Sequence, residues 1–326
     1  MNILVTGGAG YVGSIVAEEL LKEGCRVIIL DNLQQGHKGA VPPGAEFRFA
    51  DICSAEALDG VFQGAKIDAV MHMAAETVVE YSMTDPRRYF HNNIVGGIGL
   101  VDAMLKHGVY KLIFSSSAAV YGDPQSIPVD EDHPKLPINS YGESKLMFER
   151  ILEWYGKAYG LKHISLRYFN AAGASESLGE DHRPETHLIP SVLKAASSKN
   201  SSVPIFGTDY PTRDGSCIRD YVHVVDIAQA HVLALENLEK RHARAYNLGS
   251  GEGYSVLEVV EAAGQVTGLE IPVRISPRRP GDPAVLVASS GRAKSELGWK
   301  PRFPELGAII ESAWAWMRGH PQGYGG

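Results

Sequence analysis

In the first half of the chain, short runs of aliphatic and β-branched residues alternate with stretches whose apolar positions recur at helical spacing. The runs fall at 3–6, 26–30, 47–50, 69–73, 111–115 and 163–168. Between the first two, Val12, Ile15, Val16 and Leu20 share one helical face, and Gly24 closes the segment as a C-cap. Nearly continuous apolar strands separated by helices predict a parallel sheet covered on both faces. The first 170 residues therefore read as a doubly wound α/β domain.

Beyond Tyr168 the rhythm changes. Residues 171–218 are rich in Gly, Pro, Ser and charge, with one helical stretch at 190–198. A helix over 222–238 and a strand over 245–248 look like a return to the first sheet, so the segment 220–250 is assigned back to the first domain. Helical patterns at 256–267 and 306–318 complete a smaller, interleaved domain that takes most of 171–326. The glycine-rich end, 319–326, is expected to fray.

Composition removes several classes of protein. The 326 residues leave room for about two domains of ~150 residues each. Hydrophobic residues at 44% and charged residues at 21% exclude a disordered chain. With 31 basic and 38 acidic residues the net charge is −7, which argues against a general nucleic-acid binder. The three cysteines, Cys25, Cys53 and Cys217, form no C-x-x-C pair. A disulfide framework and a cysteine-built zinc site are therefore not expected, and a reducing compartment is. No stretch approaches the ~18 apolar residues of a membrane span, and the N-terminus enters a strand pattern without an export signal. A soluble, cytoplasmic chain with no membrane or nucleic-acid partner is the expectation.

The glycines have a use that position reveals. Gly7-Gly8-Ala9-Gly10-Tyr11-Val12-Gly13 follows the first strand and opens the first helix. Such a turn lets backbone approach a pyrophosphate, and the helix N-terminus offers it free N–H groups and partial positive charge. The strand before, the helix after and an acid ending the second strand together predict a dinucleotide-binding Rossmann domain, with Gly7, Gly10, Tyr11, Val12 and Gly13 at the cofactor. That acid is Asp31, placed to accept hydrogen bonds from ribose hydroxyls and to repel a 2′-phosphate. Asn32 and Leu33 supply no arginine, so NAD is favoured over NADP. Asp51 and Ile52, at the end of the third strand, fall where the adenine edge would lie, although a plain surface loop explains them nearly as well.

A second constellation carries the chemistry. Tyr141-Gly142-Glu143-Ser144-Lys145 heads a predicted helix, with Ser140 and Glu143 in a capping-box pattern and Met147, Phe148, Ile151, Leu152 and Tyr155 as its buried stripe. Tyr141 and Lys145, four apart, share a face. A free phenol, with pKa near 10, is a poor base at neutral pH. An adjacent ammonium and a nicotinamide cation would favour its phenolate. Ser115-Ser116-Ser117 ends the fifth strand and puts a hydroxyl at the sheet edge where ligands of such folds bind.

These residues resemble the extended short-chain dehydrogenase/reductase family, and most closely its UDP-hexose 4-epimerase branch, over essentially the whole chain. The stretches that carry the likeness are Asp31–Leu33, Asn92-Asn93, Ser115–Gly122, Tyr141–Lys145, Arg167–Asn170, Gly207–Tyr210, Arg219–Val224 and Arg278–Asp282. The resemblance implies that Tyr141 is the base, that Lys145 binds the nicotinamide ribose and tunes it, and that Ser117 hydrogen-bonds the sugar 4-hydroxyl. It adds Ala74, Asn92, Ser115 and Tyr168 to the NAD site. Around the UDP-sugar it places Asn170, His187, Leu188, Arg219, Arg279 and Asp282. Arginines suit a diphosphate because their contacts are charge-assisted and often bidentate. A homodimer is implied as well.

Two departures stand out. The family often has a lysine in the loop after the fourth strand, but Ala74-Ala75-Glu76-Thr77 has none, so that cofactor contact is not carried over. Many members carry a bulky aromatic shortly after the Gly-Asp pair, where this chain has Pro283-Ala284-Val285-Leu286. A roomier sugar pocket is expected there, open to UDP-N-acetylhexosamines; UDP-pentoses are a further alternative. A 4,6-dehydratase would need an acidic pair after the hydroxyl residue, and Ala118 and Ala119 stand there instead. A non-catalytic NAD sensor would have no use for Ser117, Tyr141 and Lys145 together.

Overall fold

The computed structural model describes residues 1–198, 201–279 and 282–325. The first half contributes β1 (Asn2–Thr6), α1 (Tyr11–Lys22), β2 (Arg26–Asp31), β3 (Glu46–Phe49), α2 (Ala55–Gln63) and β4 (Ala69–His72). Then come α3 (Val79–Thr84), α4 (Pro86–Phe90), α5 (Gly97–Lys106), β5 (Lys111–Ser117), α6 (Ser140–Tyr159) and β6 (Lys162–Tyr168). The second half adds β7 (Asn170–Ala172), α7 (Leu188–Ser197), β8 (Val203–Phe206), β9 (Ile218–Arg219), β10 (Tyr221–His223), α8 (Val224–Arg241) and β11 (Arg244–Leu248). It closes with β12 (Tyr254–Ser255), α9 (Val256–Thr267), β13 (Val273–Ser276), β14 (Val285–Leu286) and α10 (Leu306–Gly319).

Seven strands form one sheet in the order β11-β6-β5-β4-β1-β2-β3, and every pairing is parallel. This is the doubly wound Rossmann arrangement expected from the sequence. Its strands bury both faces by alternation. Ile3, Val5, Val27 and Ile29 meet Ile15, Val16 and Leu20 of α1 and Ile227, Ala230 and Ala234 of α8. Leu4, Ile28, Leu30 and Val70 point the other way, onto Leu58 of α2, Leu100 of α5 and Phe148 and Leu152 of α6. The order reverses between β1 and β4, and the crevice beyond their C-terminal ends is where open α/β sheets bind ligands.

A second core joins α7, α9 and α10 through Ile189, Val192, Leu193, Val259, Ile309 and Ile310. Two short ladders tie it to the sheet region. β7 pairs β10, and β9 sits between β12 and β14. Among the described residues no helix is long and apolar enough to cross a membrane.

Three local expectations need correction. The cap of α6 is Asn139, whose side chain accepts from Gly142 N at 2.8 Å, rather than Ser140, which is the first helical residue. The segment predicted as helix from 222 begins as strand β10 and turns helical only at Val224. The glycine-rich end does not fray as far as Tyr324, whose hydroxyl donates to Gly179 O and accepts from Gly179 N, both at 2.9 Å. The Tyr324 ring also stacks on His37, 5.5 Å between centroids, so one aromatic residue anchors the tail. Gly326 lies outside the described residues, as do Pro280 and Gly281 of the Arg278–Asp282 stretch.

Candidate active site

One cleft runs over the C-terminal edge of the sheet and under the second core. Gly7, Gly10, Tyr11, Val12 and Gly13 form one end of it. A Cβ on Gly13 would lie 2.1 Å from Gly7 O, so only glycine lets the first turn of α1 settle on the loop. No side chain caps α1, which leaves its leading N–H groups for a ligand. Asp31 ends β2 with its carboxylate held by Ala9 N at 3.0 Å and Leu33 N at 2.8 Å. Burial raises its pKa against those two bonds. The turn, the uncapped helix and an oriented acid fit NAD, with a pyrophosphate on the glycines and a ribose on Asp31.

Asn32, Ile52, Ala74, Asn92, Ser115 and Tyr168 also line this cleft. Asp51 does not; it is exposed and accepts from Asn32 Nδ2 at 2.9 Å and Cys53 N at 2.8 Å, so it braces the loop after β2 from outside. In the loop after β4, Glu76 pairs with Arg88 at 2.7 Å. Asn93, next to Asn92, is buried and ties that loop to α6 by accepting from Glu76 N at 2.8 Å and donating to Ser144 Oγ at 2.9 Å.

Tyr141, Lys145 and Ser117 meet in the middle of the cleft. The first turn of α6 lies so close to the turn after β5 that a Cβ on Gly142 would fall 2.4 Å from Ala119 O. That approach sets the phenol of Tyr141 beside the Ser117 hydroxyl. Burial pushes the phenol pKa up, and hydrogen bonding with Ser117 pulls it back. Lys145 is buried, donates to Ser115 O at 2.8 Å and has its Nζ 5.8 Å from the Tyr141 ring centre. Burial lowers its pKa to about 7, opposed by the charge of Glu149 one turn further on. The protein alone therefore does not make the phenol acidic. A cation beside it, such as the nicotinamide of NAD⁺, is needed for that.

Behind the pair stands a network that the sequence did not announce. Glu149 is held by Arg167, Nη2 to Oε2 at 2.6 Å and Nε to Oε1 at 2.9 Å, and by Ser116 Oγ at 2.5 Å. Tyr141, Lys145 and Glu149 form one i,i+4 row, which was the available signal. A second chain runs from Ser115 Oγ to Tyr168 OH at 2.7 Å, to His231 Nε2 at 2.6 Å, with His231 Nδ1 on Ile227 O at 2.9 Å. Burial lowers the pKa of His231 to about 4 and keeps it neutral.

The far end of the cleft holds Asn170, His187, Leu188, Arg219, Arg279 and Asp282. Arg219 lies 3.4 Å from Asp282, and the Arg279 guanidinium stacks 4.0 Å from the Phe206 ring centre. Asp220, between Arg219 and Tyr221, faces away from the cleft. It accepts from Ser250 N, Gly251 N and Ala288 N and so fixes the strand that presents Arg219. His187 sits against Glu180 and Glu185; burial opposes its charge, but the two carboxylates override it and raise its pKa to about 10.

Comparison with known proteins identifies the family. The model of the NAD dependent epimerase/dehydratase family matches residues 3–249. A UDP-glucose 4-epimerase of Lacticaseibacillus casei is 50% identical over 328 residues, covering 100% of this chain and 99% of that one. One from Halalkalibacterium halodurans is 51% identical over 327 residues, covering 99% and 98%. A crystal structure of a UDP-glucose 4-epimerase superposes with TM-score 0.96 at 47% identity and full coverage of both chains. The Bifidobacterium longum enzyme, solved with NAD⁺ and UDP, superposes at 0.94 with 38% identity, covering 99% of this chain and 100% of that one. A glycine turn, a tyrosine–lysine pair and a hydroxyl in one crevice, with likeness running from end to end, place the chain in the NAD dependent epimerase/dehydratase family.

Proposed function

We propose that the protein interconverts UDP-glucose and UDP-galactose by inverting C4 through a transient 4-keto sugar. NAD, held on the glycine turn and Asp31, would supply reversible hydride exchange at C4 with no net redox change. Tyr141 removes the proton from the 4-hydroxyl, and Ser117 hydrogen-bonds the same oxygen. Lys145, anchored on Ser115 O, holds the nicotinamide ribose and, together with the nicotinamide cation, favours the phenolate. Arg219, Arg279 and Asn170 grip the UDP half, with His187, Leu188 and Asp282 beside them. The hexose is held loosely enough to turn over before it is reduced on its other face. The observation that carries this reading is the meeting of Tyr141, Lys145 and Ser117 in the one cleft that also holds the glycine turn and the two arginines. Incubation with UDP-galactose and NMR of the products tests it. UDP-glucose should form without stoichiometric reduction of added NAD⁺; accumulation of reduced nicotinamide would indicate a net dehydrogenase instead.

One observation favours a broader substrate range. Leu286, in the stretch where many members carry an aromatic, packs against the buried cluster that contains Ala118 and Val120, which follow Ser117 in the chain. A neighbour at 40% identity is a UDP-Glc/GlcNAc 4-epimerase from Campylobacter jejuni. UDP-N-acetylgalactosamine should therefore also turn over, and absence of any product from it would confine the enzyme to plain hexoses. The exposed Trp154 and Tyr159 on α6 support a homodimer, which sedimentation can check. The three free cysteines support a cytoplasmic location.

A further inference from the structure

Between β7 and α7 the chain runs from Gly173 to His187 without helix or strand. Loops this long are uncommon in compact domains, and their order must come from side chains. Here Glu180, His182, Glu185 and His187 converge, and their candidate ligand atoms all lie within 4.8 Å of one another. Nδ1 of His187 is 2.8 Å from Glu180 Oε1 and 2.9 Å from Glu185 Oε1. Nδ1 of His182 is 3.0 Å from the same Glu180 oxygen. The spacing Glu-x-His-x-x-Glu-x-His brings four donors to one point.

A second observation bears on what belongs there. The other oxygen of Glu185, Oε2, is buried with no hydrogen-bond partner, and the side chain is only 7% exposed. Lys194 Nζ stands 3.8 Å away, too far to donate. Its charge is met at long range by that ion pair, but a buried carboxylate oxygen without a hydrogen-bond donor is costly. It belongs to the same carboxylate as the oxygen already in the cluster, so a cation seated on Glu185 could take both.

We propose that Glu180, His182, Glu185 and His187 form a binding site for a divalent transition metal ion, with Zn²⁺ as the best match. Two imidazole nitrogens and two carboxylates suit an ion of borderline softness, whereas Mg²⁺ and Ca²⁺ prefer oxygen alone. The two carboxylates balance one dication. Tetrahedral zinc, with bonds of about 2.0–2.2 Å, sets its donors roughly 3.3–3.5 Å apart. The three short nitrogen–oxygen contacts, at 2.8–3.0 Å, need to open by about half an ångström, and the wider donor pairs, which reach up to 4.8 Å, need to close by somewhat more than one. The ion would pin the loop to the start of α7. Because Glu180, His182 and His187 line the cleft, it would also stiffen the wall facing the substrate. The proposal is independent of which sugar the cleft accepts.

The test uses the NAD-bound enzyme, stripped with EDTA and titrated calorimetrically with ZnCl₂ alone, with melting temperature followed in parallel. One equivalent per chain and a higher melting temperature are expected, with MgCl₂ giving neither. In His182→Gln and in Glu185→Gln, zinc affinity should fall by at least tenfold. Anomalous scattering from zinc-soaked crystals supplies a check without mutation, with a peak expected among the four side chains. No saturable zinc binding, unchanged affinity in both variants, or a peak elsewhere only, overturns the proposal.

Discussion

Tyr141 and Lys145 are recognisable in the sequence because a helix places residues four apart on one face, and the cleft receives that face. Tyr141→Phe removes the base while keeping the ring. It should fold and keep NAD, and turnover of UDP-galactose should drop by about 10²–10⁴-fold. Near-normal turnover would remove Tyr141 from its role. Glu149 was not legible, because its meaning depends on Arg167, a partner 18 residues away that only the sheet brings near. Both are almost fully buried. Arg167→Leu would strand a carboxylate in the interior, and a loss of roughly 3–5 kcal/mol is expected in denaturant unfolding. Asp220 teaches the reverse lesson. It sits in a motif that reads as a binding site, yet its carboxylate is spent on backbone amides.

At the scale of elements, the strands of the first half could be read within two residues, since runs of apolar residues record burial directly. Caps and loops could not. Asn139 and Ser140 are both good caps, and the choice between them depends on where α6 meets the turn after β5. The contact of Gly142 with Ala119 O is likewise a property of the packed pair. Gly142→Ala should push the first turn of α6 outward and part Tyr141 from Ser117. A misplacement of about 1 Å can cost on the order of 10²-fold in rate. The decline should appear in kcat with bound NAD retained. Full activity would mean that the close approach is incidental. The loop 173–187 showed as part of a stretch rich in Gly, Pro, Ser and charge, with His187 picked out by resemblance alone, because its order rests on side chains outside any periodic pattern.

For the molecule as a whole, a doubly wound parallel sheet follows from alternating strands and helices, while its strand order and the attachment of the tail through Tyr324 do not. The packed whole also has an acid sensitivity. Burial lowers the pKa of His72 to about 3, and of His163, His223 and His231 to about 4 each. An unfolded histidine titrates near 6.5. The unfolded chain therefore binds more protons than the folded one once pH drops below that value. The stability contributed by these neutral rings is complete above pH ~6.5 and is lost progressively toward pH ~4. Thermal melts at pH ~7.5 and pH ~4.5 should differ, with the acidic sample melting lower. Equal melting temperatures would show that the rings gain their protons without penalty.

The chain of contacts from Ser115 to Ile227 has a direction. A carbonyl can only accept, so Ile227 takes the Nδ1 hydrogen of His231. A neutral imidazole then has a bare Nε2, and Tyr168 must give it the phenolic hydrogen. That leaves the phenol oxygen to receive the hydrogen of Ser115. Helix α8 thus dictates polarity to the floor of the crevice. At Ser115 the protein has no hydrogen left to offer, and whatever rests against that oxygen must bring its own.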